Sequence, residues 1–211
     1  MLDYTEYTKL LIGLLAIVNP LGSVPIFVAL TSELNSTERR RVIRVALLAV
    51  AIILLVALYF GQALLDFFGI TISSFRVGGG ILILLMAIAM LQARTSPASH
   101  TEEELQTGDG AASVAVVPLA IPLLAGPGAI STVIVYAHRG HGTLHYALAS
   151  LDILVVVLIL GLVFALVPWI TRSVSQTGIN IFTRIMGLIL AAIAVEFIAN
   201  GLKGLFPALS G

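Results

Sequence analysis

The residues that could do chemistry are few and sit in apolar surroundings. One group reads Asn19-Pro20-Leu21-Gly22-Ser23-Val24-Pro25, and a second reads Pro122-Leu123-Leu124-Ala125-Gly126-Pro127-Gly128-Ala129-Ile130-Ser131-Thr132. Proline removes a backbone donor and clashes with the preceding turn, and adjacent glycine adds freedom, so each motif predicts an interrupted helix. An interruption frees a half-helix amino terminus, whose N–H groups and positive dipole end can hold an anionic group. One such break alone would be only a kink or a close-packing point. A matched pair with Asn19, Pro20, Gly22, Ser23, Gly126, Pro127, Gly128, Ser131 and Thr132 alongside points to a shared solute site.

Glu196 is the other reactive group, in Ala-Val-Glu-Phe-Ile-Ala-Asn-Gly, with Asn200 one turn on along the same face. An ionised, unpaired carboxylate is costly in hydrocarbon, so Glu196 either carries a coupling proton or holds a broken helix by hydrogen bonds. Asp152 and Gln62 are expected near helix ends, in contact with interfacial water. His138, His141 and His145 crowd one loop with Arg139, and solvation accounts for them better than a metal does. No nucleotide loop, catalytic triad or metal-ligand spacing occurs, so enzymatic chemistry and cofactors are not expected.

The positioning elements follow from composition. Of 211 residues 59% are hydrophobic and only 10% charged, with a mean hydropathy of +1.09. Soluble domains carry roughly a quarter charged residues, and a complement this small cannot clothe a water-facing surface. The formal net charge of zero gives no nucleic-acid signature, and the absence of cysteine rules out disulfides and thiol chemistry. Six apolar segments lie near 8–31, 43–65, 69–91, 113–137, 147–170 and 181–205. Each approaches the roughly 20 residues that a helix needs to cross about 30 Å of hydrocarbon. Asp3 and Glu6 outnumber Lys9 before the first, which argues against a cleaved leader.

The acidic, turn-rich stretch 92–112 reads as a linker between a first repeat of about 1–91 and a second of about 113–211. Two landmarks recur in register. Pro20 and Pro127 stand 107 residues apart, and Arg76-Val77-Gly78-Gly79-Gly80-Ile81-Leu82 matches Arg184-Ile185-Met186-Gly187-Leu188-Ile189-Leu190 at an offset of 108. Three spans is an odd number, so the second half must be inverted. The expected fold is thus an all-α membrane protein of six transmembrane helices in two inverted three-helix repeats, helices 1 and 4 interrupted. The glycines at 78–80 read as a close-packing face, and Arg76 and Arg184 as snorkelling helix-end groups. Arg39, Arg40, Arg41, Arg44, Arg94, Arg172 and Arg184 fall in one set of loops, against Lys9, Arg76, Arg139 and Lys203 in the other. That bias puts both termini outside.

The two Pro/Gly motifs and the Arg184–Gly204 stretch together resemble the MarC family of integral membrane proteins, along essentially the whole chain outside 92–112. The resemblance implies a multi-pass protein of a prokaryotic cytoplasmic (inner) membrane. It also implies a link to transport of glycine, alanine and similar neutral amino acids. The expected function is a secondary transporter whose midplane site lies between the broken helices, with Glu196 and Asn200 as intramembrane polar groups. A channel or facilitator for another small solute or ion is the alternative. The expected partners are a small-molecule substrate and the lipid bilayer, with room for a homo-oligomer.

Overall fold

The computed structural model describes residues 4–31, 34–92, 124–140, 142–173 and 175–210, and among them the regular structure is all helical. The helices are α1 (Tyr4–Val18), α2 (Val24–Leu30), α3 (Ser36–Phe67), α4 (Ile72–Leu91), α5 (Pro127–Arg139), α6 (Thr143–Ala165), α7 (Val167–Ser173) and α8 (Gln176–Leu205). Among the described residues four helices are long and apolar enough to cross a membrane: Ser36–Phe67, Ile72–Leu91, Thr143–Ala165 and Thr177–Leu205. Residues 92–112 of the expected linker fall outside the described residues apart from Gln92, as do 113–123 of the fourth expected segment.

Local chemistry sets the boundaries. Asn35 Oδ1 accepts from the Thr37 and Glu38 amides at 3.0 Å, and Glu38 Oε2 accepts from the Asn35 amide. This reciprocal cap starts α3 well before the expected 43. Arg39, Arg40, Arg41 and Arg44 therefore stand on the first turns of a helix, not in a loop. Arg184 and Arg76 likewise lie inside α8 and α4. Gly69, at φ +66°, ends α3, with the Ile70 amide donating back to the Leu65 carbonyl at 2.9 Å. The fifth expected segment, 147–170, is not one helix. Pro168 cannot donate to the Phe164 carbonyl, so α6 stops at Ala165 and α7 begins at Val167.

Large apolar side chains occupy both sides of the long helices. Leu54, Leu58, Ile153, Leu160 and Leu190 are fully buried, while Leu48, Ile52, Phe60, Leu158, Leu162 and Leu188 face outward. A helix that is apolar all round suits lipid outside and protein inside. The packing pairs α1 with α6 and α5 with α3, α1 with α8 and α5 with α4, and joins α1 to α5 and α4 to α8.

The α4–α8 contact is the most extensive and depends on glycine. A methyl group on Gly80 would sit 2.7 Å from Ile198 Cγ1 and 3.0 Å from the Ala194 carbonyl oxygen, and one on Gly201 2.9 Å from the Ser73 oxygen. Small residues let the two backbones approach this closely. Of the three glycines expected to form a packing face, Gly79 meets Ser131 and Gly80 meets α8. Among the described residues, a methyl group on Gly78 would have nothing within 4 Å.

Candidate functional site

The first Pro/Gly motif separates two helices, and the second opens one. Asn19 stands at φ +46°, in the left-handed region, and ends α1; α2 begins at Val24 with Pro25 in its first turn. The Gly22 amide donates to Asn19 Oδ1 at 3.2 Å, and Ser23 Oγ donates to the Pro20 carbonyl at 2.7 Å. A side chain on Gly22 would run into the Asn19 side-chain amide and displace its hydrogen bond to the Gly22 N–H. In the second motif Gly126 caps α5 and Pro127 opens it, and the Ala129 and Ile130 amides donate to the Gly126 carbonyl at 3.0 and 3.2 Å. The two motifs adjoin: a methyl group on Gly128 would lie 3.4 Å from Ile17 Cγ2, two residues before Asn19.

A half-open cavity of about 650 Å³ lies between α1, α5 and α8. That volume is within the roughly 300–1,000 Å³ typical of small-molecule sites. Its walls include Gly13 of α1, Thr132 and Tyr136 of α5, and Glu196, Phe197 and Asn200 of α8; Glu6, Lys9 and Arg139 stand at one end. Three of the sequence-predicted residues, Thr132, Glu196 and Asn200, thus meet in one space. Asn19, Pro20, Gly22, Ser23, Gly126, Pro127, Gly128 and Ser131 do not line it. They shape the two motifs behind it, Ser131 packing on Gly79.

Glu196 is exposed to the cavity and accepts from Asn200 Nδ2 at 2.7 Å. Thr132 Oγ1 donates to the Gly128 carbonyl at 2.9 Å, which leaves its oxygen lone pairs to accept. Opposite charge gathers near α1. Lys9 Nζ donates to Glu6 Oε1 at 2.5 Å, Arg139 Nη1 to Glu6 Oε2 at 2.8 Å, and the Arg139 guanidinium lies 4.6 Å from the centre of the Tyr136 ring. The hydrogen bond from Lys9, reinforced by the charges of Lys9 and Arg139, holds the Glu6 carboxyl below its ordinary range. One space therefore offers a carboxylate with an amide at one wall and, at another, two cations that share the single Glu6 carboxylate.

Glu6, Lys9, Tyr136 and Arg139 are site residues that the sequence motifs do not single out. Thr132, Tyr136 and Arg139 follow one helical face, a spacing that could expose the last two, but Arg139 falls where the sequence predicts a loop. His145 is a correction. Rather than a solvated loop residue it is 1% exposed, sharing a 2.9 Å hydrogen bond through Nδ1 with Tyr7 Oη and one of 3.1 Å through Nε2 with the Tyr136 carbonyl. It joins α1, α5 and α6, and no sequence period announces that. His138 bonds Gln62 at 2.9 Å, and His141 lies outside the described residues. Asp152 is also corrected: it stands within the body of α6, half-buried, not at an end in interfacial water. Among the described residues no cluster could hold a metal ion.

A bundle with four helices fit to cross a bilayer, apolar outer faces and a largely apolar cavity carrying a few polar groups is that of a multi-pass membrane protein. The family model described as MarC family integral membrane protein matches residues 4–206, and the chain belongs to that family. It is 42% identical over 207 residues to the UPF0056 membrane protein YhcE of Escherichia coli, covering 98% of this chain and 96% of that one. Against the UPF0056 membrane protein MJ0972 of Methanocaldococcus jannaschii it is 38% identical, covering 94% and 87%. Against the UPF0056 membrane protein YvbG of Bacillus subtilis it is 39% identical, covering 94% and 95%. No solved structure matches.

Proposed function

We propose that this protein is a secondary transporter of small neutral amino acids across a cytoplasmic membrane, acting without enzymatic chemistry. The carrying observation is the cavity whose walls offer Glu196 with Asn200 at one side and Lys9 with Arg139 at another. A zwitterion needs both. Its ammonium would meet Glu196 Oε and the Thr132 hydroxyl oxygen, and its carboxylate the cations at the α1 end. Phe197, Ile193 and Ala192 restrict the space left for a side chain.

The reading includes six spans in two inverted repeats with both termini outside. At the offset of 107 to 108 residues, exchanging the halves carries α3 into α6 and α7 and α4 into α8, so that the α3–α6 and α4–α8 contacts each map onto themselves. This pairing supports the repeat, as do the break at Pro20 and the helix start at Pro127. Two such halves can open alternately to either side of a fixed site.

The test is counterflow and saturation of labelled alanine and glycine by purified protein in proteoliposomes, compared with Glu196→Gln. Losing a charged hydrogen-bond partner of about 1.5–3 kcal/mol should raise the half-saturation concentration roughly 10- to 100-fold. Wild type that moves neither amino acid overturns the assignment. Non-saturable flux without counterflow makes the protein a channel.

A further inference from the structure

Among the described residues, Asp152 is the one carboxylate in the body of a membrane-length helix that the proposed site does not use. It stands nine residues into α6, about 13.5 Å from that helix's first residue at 1.5 Å per residue. Its Oδ2 is buried, with no hydrogen-bond donor, and Asp152 forms no ion pair among the described residues. The titratable groups that neighbouring helices direct onto α6 are engaged elsewhere. Tyr7 of α1 bonds His145, Tyr59 of α3 bonds Ser150 Oγ at 3.0 Å, and α6's own Tyr146 stacks on Tyr59. None of them is a cation that could hold an ionised Asp152.

The depth of Asp152 matters. Glu196 lies nine residues before the end of α8, and Gly13 nine residues into α1. Those ends share one side of the bundle, because Glu6, Arg139 and Asn200 line one cavity. Asp152, Gly13 and Glu196 therefore lie at one level. α1 packs on α6 as well as on α8 and presents Gly13 to the cavity. It ends at the break at Asn19. What happens to Asp152 at the α6 side can thus reach the solute cavity through α1.

We infer that Asp152 is the protonation site that couples solute movement to a proton gradient, a role that rests on the transporter reading above. Glu196, exposed and bonded to Asn200, is left to bind the solute. The acid form of Asp152 fits these surroundings. It can turn its O–H to a carbonyl one turn back, as Ser150 Oγ does to the Tyr146 carbonyl at 2.7 Å. The carboxylate, lacking a donor at Oδ2, needs water, which requires the packing around α6 to loosen. On the more acidic side a hydronium ion gives its proton to the carboxylate and becomes water. On the other side the Oδ–H bond breaks and the proton passes to water. One proton crosses per cycle, and no electron moves.

The experiment uses full-length protein in proteoliposomes, with labelled alanine as probe, and compares wild type, Asp152→Asn and Asp152→Glu. Asp152→Asn mimics the protonated state. It should keep counterflow within about twofold of wild type while losing about tenfold or more of the accumulation driven by a pH gradient. Asp152→Glu should retain coupling with a displaced pH profile. A solute-independent readout is infrared difference spectroscopy in bilayers: a protonated carboxyl C=O band that titrates in wild type and vanishes in Asp152→Asn is expected. Undiminished pH-driven accumulation by Asp152→Asn, dependence on sodium instead of pH, or the absence of that band in wild type overturns the inference. Failure of wild-type counterflow with the band present overturns only the amino-acid assignment.

Discussion

Alanine at Gly80 would put a methyl group 2.7 Å from Ile198 Cγ1, 3.0 Å from the Ala194 carbonyl oxygen and 3.1 Å from the Ile198 nitrogen. Two of those three atoms are backbone of α8, so relief requires the helices to separate by several tenths of an ångström. Overpacking of that kind costs about 1–3 kcal/mol. For a chain of about 200 residues, each kcal/mol lowers Tm by roughly 2–4 °C, so the Tm of Gly80→Ala should fall by about 2–12 °C. At Gly78 a methyl group meets nothing within 4 Å among the described residues. There the only effect is the helix preference of alanine over glycine, about 0.5–1 kcal/mol in favour of the variant. Thermal unfolding of both variants in one detergent, read by intrinsic fluorescence and size exclusion, makes the comparison. A Gly78→Ala protein that loses as much as Gly80→Ala would refute the claim that approach of the α4 and α8 backbones decides these positions.

Three other outcomes follow from single contacts. His145→Ala leaves the Tyr7 hydroxyl and the Tyr136 carbonyl without this partner; a loss of about 1–3 kcal/mol per unsatisfied group should appear as a lowered Tm. Asn19→Val puts a β-branched residue at φ +46° and should cost about 1–3 kcal/mol in the same assay, whereas Asn19→Gly relieves the backbone. Glu6 has a depressed carboxyl pKa, so its contribution is present above the ordinary carboxylate range and is lost as pH falls through the lowered value. The protection factor at the start of α1, which is exchange corrected for its intrinsic pH dependence, should therefore fall on acidification in wild type, and Glu6→Gln should show the lower protection at every pH.

The sequence by itself determined that this chain belongs in a bilayer. With 10% charged residues there is no second way to solvate it. It also placed the break at Pro20 and the helix start at Pro127, because a missing N–H acts through covalent geometry alone. Pro168 carries the same signal, hidden within an otherwise continuous apolar run. Thr132, Glu196 and Asn200 could be singled out by type, since polar groups are costly among such neighbours.

Only the tertiary structure decided what those groups face. Glu6 and Arg139 are 133 residues apart and meet at 2.8 Å, and Tyr7 reaches His145 across 138 residues. Contacts of that span depend on how helices pack, and no local period encodes them. The same holds for the glycines: Gly78, Gly79 and Gly80 are one residue type in one run, yet among the described residues the first meets nothing within 4 Å, the second meets α5 and the third α8. Each residue turns the helix by about 100°, so adjacent positions answer to different neighbours. For Glu196 and Asp152, too, the letters named two carboxylates. Packing put one against a cavity beside an amide and buried an oxygen of the other without a donor.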